Sequence, residues 1–403
     1  MIYEQNFNQL IEIIKQISNF EEIDDNCLNI HEPFFKNTNA WNYVKECIDT
    51  GWVSSAGKFI DKFEEKISDF TNAKYTIAVT NGTVGLRLAL SLVGVKKKDE
   101  VILPPLTFIA TANAISHLGA IPHFVDIEST TLGLCPDRLY TRLKQIVVYK
   151  NGNPYNKTSD KRIGAIVPVH IFGNPAQVDK IKLIGDEFKI PIVEDAAEAL
   201  GSFKKENNSY KHCGLFGDIG VISFNGNKII TTGGGGALIT NNEKLANRAK
   251  FLSKTAKVDH PWEFSHSEIG WNDRMPNINA ALGLSQIEDL KRRLIDKKEL
   301  YMKYKKQMKK VDFAEIIENP INCICNNWLV NLKLNHDSNI NILELRDYLL
   351  RNSHSKKIFL RPIWQLISEQ KMYKDMPSDE IIVAKDIVSR VISLPSSPQL
   401  LKQ

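Results

Sequence analysis

Apolar residues follow two rhythms along this chain. Near the N-terminus Phe7, Leu10, Ile11, Ile14, Ile17 and Phe20 recur at helical spacing, which predicts an amphipathic helix ahead of the main body. Its apolar stripe has two possible partners, the chain's own core or a neighbouring subunit. From about residue 40 to 250 short β-rich apolar runs alternate with helical stretches, as in VILP at 101, PHFVDI at 122, GAIVPVHIF at 164 and PIVED at 191. Between the last two runs Val178, Ile181, Ile184 and Phe188 mark one helix face. That segment predicts a strand–helix–strand unit with parallel strands and a right-handed crossover. Sheets of this kind hold ligands at the carboxyl ends of their strands. After about residue 290 the texture changes to a long charged helix in KRRLIDKKELYMKYKKQMKK, a strand in NWLVNLKL and a helix in NILELRDYLLR, the signs of a smaller α+β domain.

Composition narrows the function classes. A chain of 403 residues suggests about two or three lobes. Its net charge of +5 is mild, and the densest basic cluster, Lys96 to Lys98, is answered at once by Asp99 and Glu100. That is a solvated turn, and nucleic acid is not an expected partner. No apolar run approaches the ~18 residues that span a bilayer, and MIYEQNFNQL lacks the pattern of a secretory signal. A cytoplasmic protein without a membrane partner is expected. The six cysteines, Cys27, Cys47, Cys135, Cys213, Cys323 and Cys325, read as free thiols. Cys323 and Cys325 have no second pair or nearby His to complete a tetrahedral metal site, so no metal is expected. Asn156 and Asn207 stand in glycosylation-type triplets that carry no weight in a chain that is not secreted.

Candidate chemistry sits where apolar strands meet loops. In TNGTVGLRLAL, Thr80, Asn81, Gly82 and Thr83 precede an almost wholly apolar helix. A helix start presents free N–H groups and a positive dipole end, a plausible phosphate cradle; Thr and Asn are equally good helix caps. In PIVEDAAEALGS a strand ends at Glu194 and Asp195, carboxylates that also serve as caps. In DIGVISFNGNKIITTGGGGALITNN a strand ends at Ser223 and Phe224, followed by Lys228 and four glycines at 233 to 236. Lys228 on its own reads as an exposed loop residue. The glycine run without Pro or Ser instead favours tight backbone approach. Because those glycines follow the lysine and open a strand, they do not make a dinucleotide fingerprint.

Eight motifs in order, GWVSSAGKFIDKFEE, TNGTVGLRLAL, LPPLTFIATANAI, VPVHIFGNP, EDAAEALGS, SFNGNKIITTGGGG, GWNDRMPNINAALGLSQ and RPIW, resemble the sugar aminotransferases of the DegT/DnrJ/EryC1/StrS family. The resemblance runs from HEPFF at 31 to LPSSP at 394 and is closest to enzymes making 4-amino sugars of the legionaminic-acid and bacillosamine type. It implies the type I fold of enzymes dependent on pyridoxal phosphate (PLP): an N-terminal helical extension over 1–30, a large α/β domain over 31–260 with a mixed, mainly parallel sheet flanked by helices, and a smaller α+β domain over 261–403.

It also implies roles. Lys228 matches the lysine that holds PLP covalently and, once released, moves the proton. Asp195 matches the carboxylate that keeps the pyridine nitrogen protonated. Gly82, Thr83 and Ser223 match phosphate contacts, and Asn272 the phosphate ligand that reaches across from a partner subunit, so a homodimer with shared active sites is implied. Phe108 matches the aromatic stacked on the ring, although an aromatic in LTFIATANAI also suits a core. Glu198 occupies a position near the phenolic oxygen where many relatives carry Gln or His. Arg361 in RPIW has two readings, a substrate contact or a surface ion pair, and stays outside the catalytic set.

The implied reaction takes the amino group of L-glutamate to C4 of a nucleotide-linked 4-keto-6-deoxy sugar. A UDP-linked 2-acetamido sugar comes first and GDP- or dTDP-linked keto sugars next, in surface-polysaccharide synthesis. Lys228 separates the chain from related dehydratases that carry His at that position. Cysteine desulfuration would need a nucleophilic Cys in a mobile Gly-rich loop, and a silent regulatory module would lack Lys228 or Asp195.

Overall fold

The computed structural model describes residues 2–18, 20, 27–337 and 340–401. Seven short apolar runs form the strands of the large lobe: β1 (Tyr75–Val79), β2 (Glu100–Leu103), β3 (Ile121–Phe124), β4 (Lys161–Ile166), β5 (Val193–Asp195), β6 (Ile219–Ser223) and β7 (Gly236–Thr240). Strand β7 pairs antiparallel with β1 and β6, whereas β6–β5, β2–β3 and β2–β4 are parallel. Parallel bridges from Ile166 to Ile192 and from Val169 to Asp195 join β4 to β5. The resulting order is β1-β7-β6-β5-β4-β2-β3, mixed but mainly parallel. Strands β2, β6 and β7 are buried along their whole length, as expected where helices cover both faces. The helix Val178–Phe188 connects β4 to β5 with Val178, Ile181, Ile184 and Phe188 buried, the unit anticipated from sequence.

In the C-terminal region the strands Ala314–Ile316, Val330–Leu334, Val391–Leu394 and Arg361–Pro362 form an antiparallel sheet. The helices Leu290–Met308 and Ile342–Ser355 pack on it. The N-terminal helix Ile2–Ser18 buries Leu10 and Ile14 against Leu300, Tyr304 and Leu345 of that core. Its apolar stripe therefore meets the chain's own core. The helix Asn277–Glu288 lies beyond residue 260, where the expected C-terminal domain begins, yet Ala280, Ala281 and Leu284 share a core with Phe59 and Phe63. Two hairpins have no counterpart in the apolar rhythm, Val147–Lys150 with Asn153–Asn156 and Phe203–Glu206 with Ser209–His212. Among the described residues no helix is long and apolar enough to cross a membrane.

Topology brings the carboxyl ends of β5 and β6 beside the helix Gly82–Leu92, which follows β1. Beneath that junction Glu194 is wholly buried and accepts hydrogen bonds from His170 Nε2 (2.8 Å) and from the N–H groups of Gly214 (2.7 Å) and Gly217 (2.5 Å). Burial works against its charge, but these donors hold its carboxyl below the usual range. Glu194 thus pins the 214–217 turn under the sheet and leaves its neighbour Asp195 facing the other way, into a cleft.

Candidate active site

That cleft is a cavity of about 350 Å³ whose lining includes Asn81, Arg361 and seven of the eight residues to which the resemblance assigns a cofactor role: Gly82, Thr83, Phe108, Asp195, Glu198, Ser223 and Lys228. The eighth, Asn272, does not line it. It is exposed and pairs in a short bridge with Lys254.

The helix that starts at Gly82 is capped and still opens its first turn to the cavity. Asn81 accepts the N–H of Val84 at 2.9 Å, while the N–H groups of Gly82 and Thr83 lie in the first turn, where a helix supplies no acceptors. A Cβ on Gly82 would come within 3.1 Å of Ser223 Cβ, so a larger residue here would press Ser223 by a few tenths of an ångström. The glycine run supports this helix start from behind. A Cβ on Gly236 would sit 2.7 Å from the carbonyl carbon of Asn81 and 2.8 Å from the Gly82 nitrogen. We expect Gly236→Ala to push this turn outward and weaken cofactor affinity by about tenfold or more, the equivalent of one charge-assisted hydrogen bond. Titration of apoenzyme with PLP measures it.

Asp195 is buried; its Oδ2 accepts the Thr111 hydroxyl at 2.7 Å and its Oδ1 the Ala197 N–H at 3.1 Å. Burial pushes its carboxyl above the usual range, and these donors pull against that shift only in part. A carboxylate so placed is stabilised by any cation brought opposite it. Lys228 is nearly closed off, and its Nζ donates to Glu198 Oε1 at 3.0 Å and lies 4.1 Å from the Trp328 ring centroid. The other Glu198 oxygen accepts the Phe172 N–H at 2.7 Å. Phe172 adopts a left-handed φ of 57° at this contact, an uncommon conformation for a bulky residue and one that clusters at functional sites. Burial raises the Glu198 carboxyl, with Lys228 opposing. Phe108 is 51% exposed and belongs to the cavity wall and not to a core, with Trp364 at 6.0 Å between ring centroids.

Sequence reasoning missed Thr111, Trp328 and Trp364. Thr111 carried a usable signal, since it stands one helical turn beyond Thr107 in the same motif and the two hydroxyls meet at 3.0 Å. Trp364 closes the RPIW motif, and that motif was its one signal; Trp328 comes from a distant C-terminal segment and had none.

The family model of the DegT/DnrJ/EryC1/StrS aminotransferases matches residues 36–403. The chain belongs to that family. This DegT-family member is 35% identical over 358 residues to GDP-perosamine synthase of Escherichia coli O157:H7, covering 89% of this chain and 90% of that one. It is 31% identical to GDP-perosamine synthase of Caulobacter vibrioides, covering 89% and 90%. Among solved structures it resembles Helicobacter pylori PseC, an aminotransferase of pseudaminic acid biosynthesis, at a TM-score of 0.80 and 22% identity over 92% of this chain and 94% of that one. The latter likeness concerns the fold, which is the type I fold of PLP enzymes.

As a DegT-family aminotransferase the protein is PLP-dependent, and its cavity fits that cofactor. A buried carboxylate without a full cation partner, a lysine amine in reach of the same space and a glycine-walled helix start are together the donor and acceptor set that a phosphorylated pyridine aldehyde requires.

Proposed function

We propose that the enzyme transfers the amino group of L-glutamate to C4 of a nucleotide-linked 4-keto-6-deoxy sugar, for synthesis of a surface glycan. The observation that carries this reading is the placement of Lys228 Nζ inside the cavity that also holds Asp195 and the Gly82 cradle. Bound PLP supplies an electron sink for the carbon that loses its proton. Lys228 is the covalent anchor and, when free, the base and acid that carries this proton. Asp195 is the carboxylate for the protonated ring nitrogen, and Gly82, Thr83 and Ser223 are the donors for the phosphate. Phe108 is the aromatic against the ring. Glu198 holds the Lys228 nitrogen in place through its two hydrogen bonds.

The first-choice acceptor is UDP-linked 2-acetamido-2,6-dideoxy-4-ketohexose, on the strength of the motifs. The names of the GDP-perosamine synthases among the relatives favour a GDP-linked sugar as the second reading. Incubating enzyme, PLP and glutamate with UDP-, GDP- and dTDP-linked 4-keto sugars in parallel, and following the amine product by mass spectrometry, separates them. The UDP-linked sugar reacts fastest on the first reading, and a faster GDP-linked sugar replaces it with the second.

The same reading includes a homodimer in which Asn272 completes the partner's phosphate site. Its support is the segment leading to Asn272, which leaves Trp262, Phe264 and Ile269 exposed at 76%, 81% and 90%. Apolar side chains concentrated in one stretch mark an interaction surface. Asn272→Ala is expected to weaken PLP affinity by about tenfold, the value of one hydrogen bond to a charged group, while the chain remains dimeric by light scattering. Unchanged affinity would remove Asn272 from the site.

A further inference from the structure

A second cavity, of about 220 Å³, adjoins the first and shares Asn227, Trp328, Arg361 and Trp364 with it. Its far wall is the segment Asn29–Glu32, where the family-like stretch of the sequence begins and to which no role has yet been given. This wall is tied down on both sides. Leu28 bridges to Ile358, Ile30 O accepts the Ser396 N–H at 2.7 Å, and the Glu32 N–H donates to Ser397 Oγ at 2.9 Å. Asn29 Nδ2 donates to Glu32 Oε1 at 2.6 Å. Trp328, which partitions the two cavities, is held by its indole N–H on Asn227 O (2.7 Å) and by Lys297 Nζ on its own carbonyl (2.6 Å). The chamber is therefore a built space with fixed walls.

One polar group in it is unsatisfied. Both ring nitrogens of His31 are buried, with no accessible surface of their own, and have no hydrogen-bond partner. A buried polar group left unpaired costs about 1–3 kcal/mol, so such a group in a cavity wall calls for a ligand. Burial, and then the positive charges of Lys297, Arg293 and Lys228, hold its imidazole well below the ordinary range, so the ring is neutral. A neutral imidazole offers one donor and one acceptor. Its match is a group that is itself donor and acceptor without charge, a hydroxyl or an acetamide. The lining carries both a carboxylate, Glu32, and a guanidinium, Arg361, so charge alone does not select the occupant and the neutral His31 ring is the group that favours an uncharged substituent. Trp364, half-buried and stacked on Phe172 at 5.0 Å between ring centroids, gives the chamber an aromatic wall that suits the C–H surface of a sugar ring.

We propose that this chamber is the sugar-reading subsite of the enzyme, and that His31 hydrogen-bonds an uncharged hydroxyl or acetamido substituent of the keto sugar. The inference rests on the sugar-amination reading above and adds to it where the sugar is recognised. Histidine χ2 is a soft, two-fold torsion, so rotation of the ring would bring a nitrogen to the chamber without backbone movement. His31 takes no part in the proton transfer and acts on sugar selection alone.

The two half-reactions separate the roles, because each changes the absorbance of the cofactor. The holoenzyme, its His31→Phe variant and its His31→Asn variant are converted with glutamate and then returned with increasing UDP-linked 4-keto-6-deoxy-N-acetylglucosamine. His31→Phe keeps the bulk and removes both polar atoms; it is expected to raise the half-saturating sugar concentration by about tenfold or more relative to any change for glutamate. His31→Asn, which restores a donor and an acceptor, recovers most of that loss. The proposal is overturned if His31→Phe leaves sugar dependence unchanged. It is equally overturned if both half-reactions weaken together and His31→Asn is no better, since that is the signature of packing. If wild type accepts glutamate but is returned by no keto sugar, the amination reading falls and this inference with it.

Discussion

Lys228→Ala is expected to lower turnover by at least about three orders of magnitude, the upper part of the range for removing a positioned acid–base group, with loss of the covalent anchor added to it. The environment of the side chain explains why nothing else substitutes. Its nitrogen is fixed between Glu198 Oε1 and the Trp328 ring, and among the described residues no other lysine lines that cavity. Lys228→Arg provides the control. Arginine keeps a positive charge for Glu198 but neither forms the linkage nor gives up a proton, so it is expected to be as inactive as alanine. A variant that kept its fold and its glutamate-dependent spectral change without Lys228 would separate the residue from the chemistry.

Asp195→Asn is the second large effect. The amide keeps roughly the volume of the carboxylate and an acceptor for Thr111, but loses the charge that a protonated pyridine nitrogen needs. Removing one member of a buried, hydrogen-bonded charge pair costs about 2–5 kcal/mol, a fall in turnover of about 30-fold to several thousand-fold. Because burial already drives the Asp195 carboxyl upward and no cation fully answers it, the cofactor is expected to bind more weakly as well. Single-turnover rates with glutamate and an equilibrium PLP titration report the two losses separately. Equal rates in wild type and variant would mean that Asp195 does not face the ring nitrogen.

Much of this site was legible in the sequence because its parts lie at strand ends, where local pattern and chemistry coincide. The run PIVED reads as a buried strand ending in acid, and Asp195 does end β5. TNGTVGLRLAL reads as cap or cradle, and Asn81 caps while Gly82 and Thr83 open the cavity, so the two readings were compatible. The four glycines read as close backbone approach, but the object of that approach, the Asn81–Gly82 turn, is set by the antiparallel pairing of β7 with β1 and had no sequence signature. Phe108 read equally well as core; only the turn of its motif toward the cleft exposes it. Trp328, Trp364 and His31 lie far away in the chain and reach the site by docking of the C-terminal sheet and the Asn29–Glu32 segment. No periodicity along the chain encodes such docking. The hairpins at 147–156 and 203–212 were equally silent, because their partly exposed strands carry no clean alternation.

The most direct test of the central assignment is the absorbance spectrum of purified wild-type and Lys228→Ala protein in PLP, before and after glutamate and then UDP-linked 4-keto-6-deoxy-N-acetylglucosamine. Wild type is expected to show the band of lysine-bound cofactor, to lose it to the pyridoxamine form with glutamate and to regain it with the keto sugar, while Lys228→Ala does not cycle. Absence of any lysine-bound cofactor band in wild type, or a Lys228→Ala protein that cycles as wild type does, would contradict it.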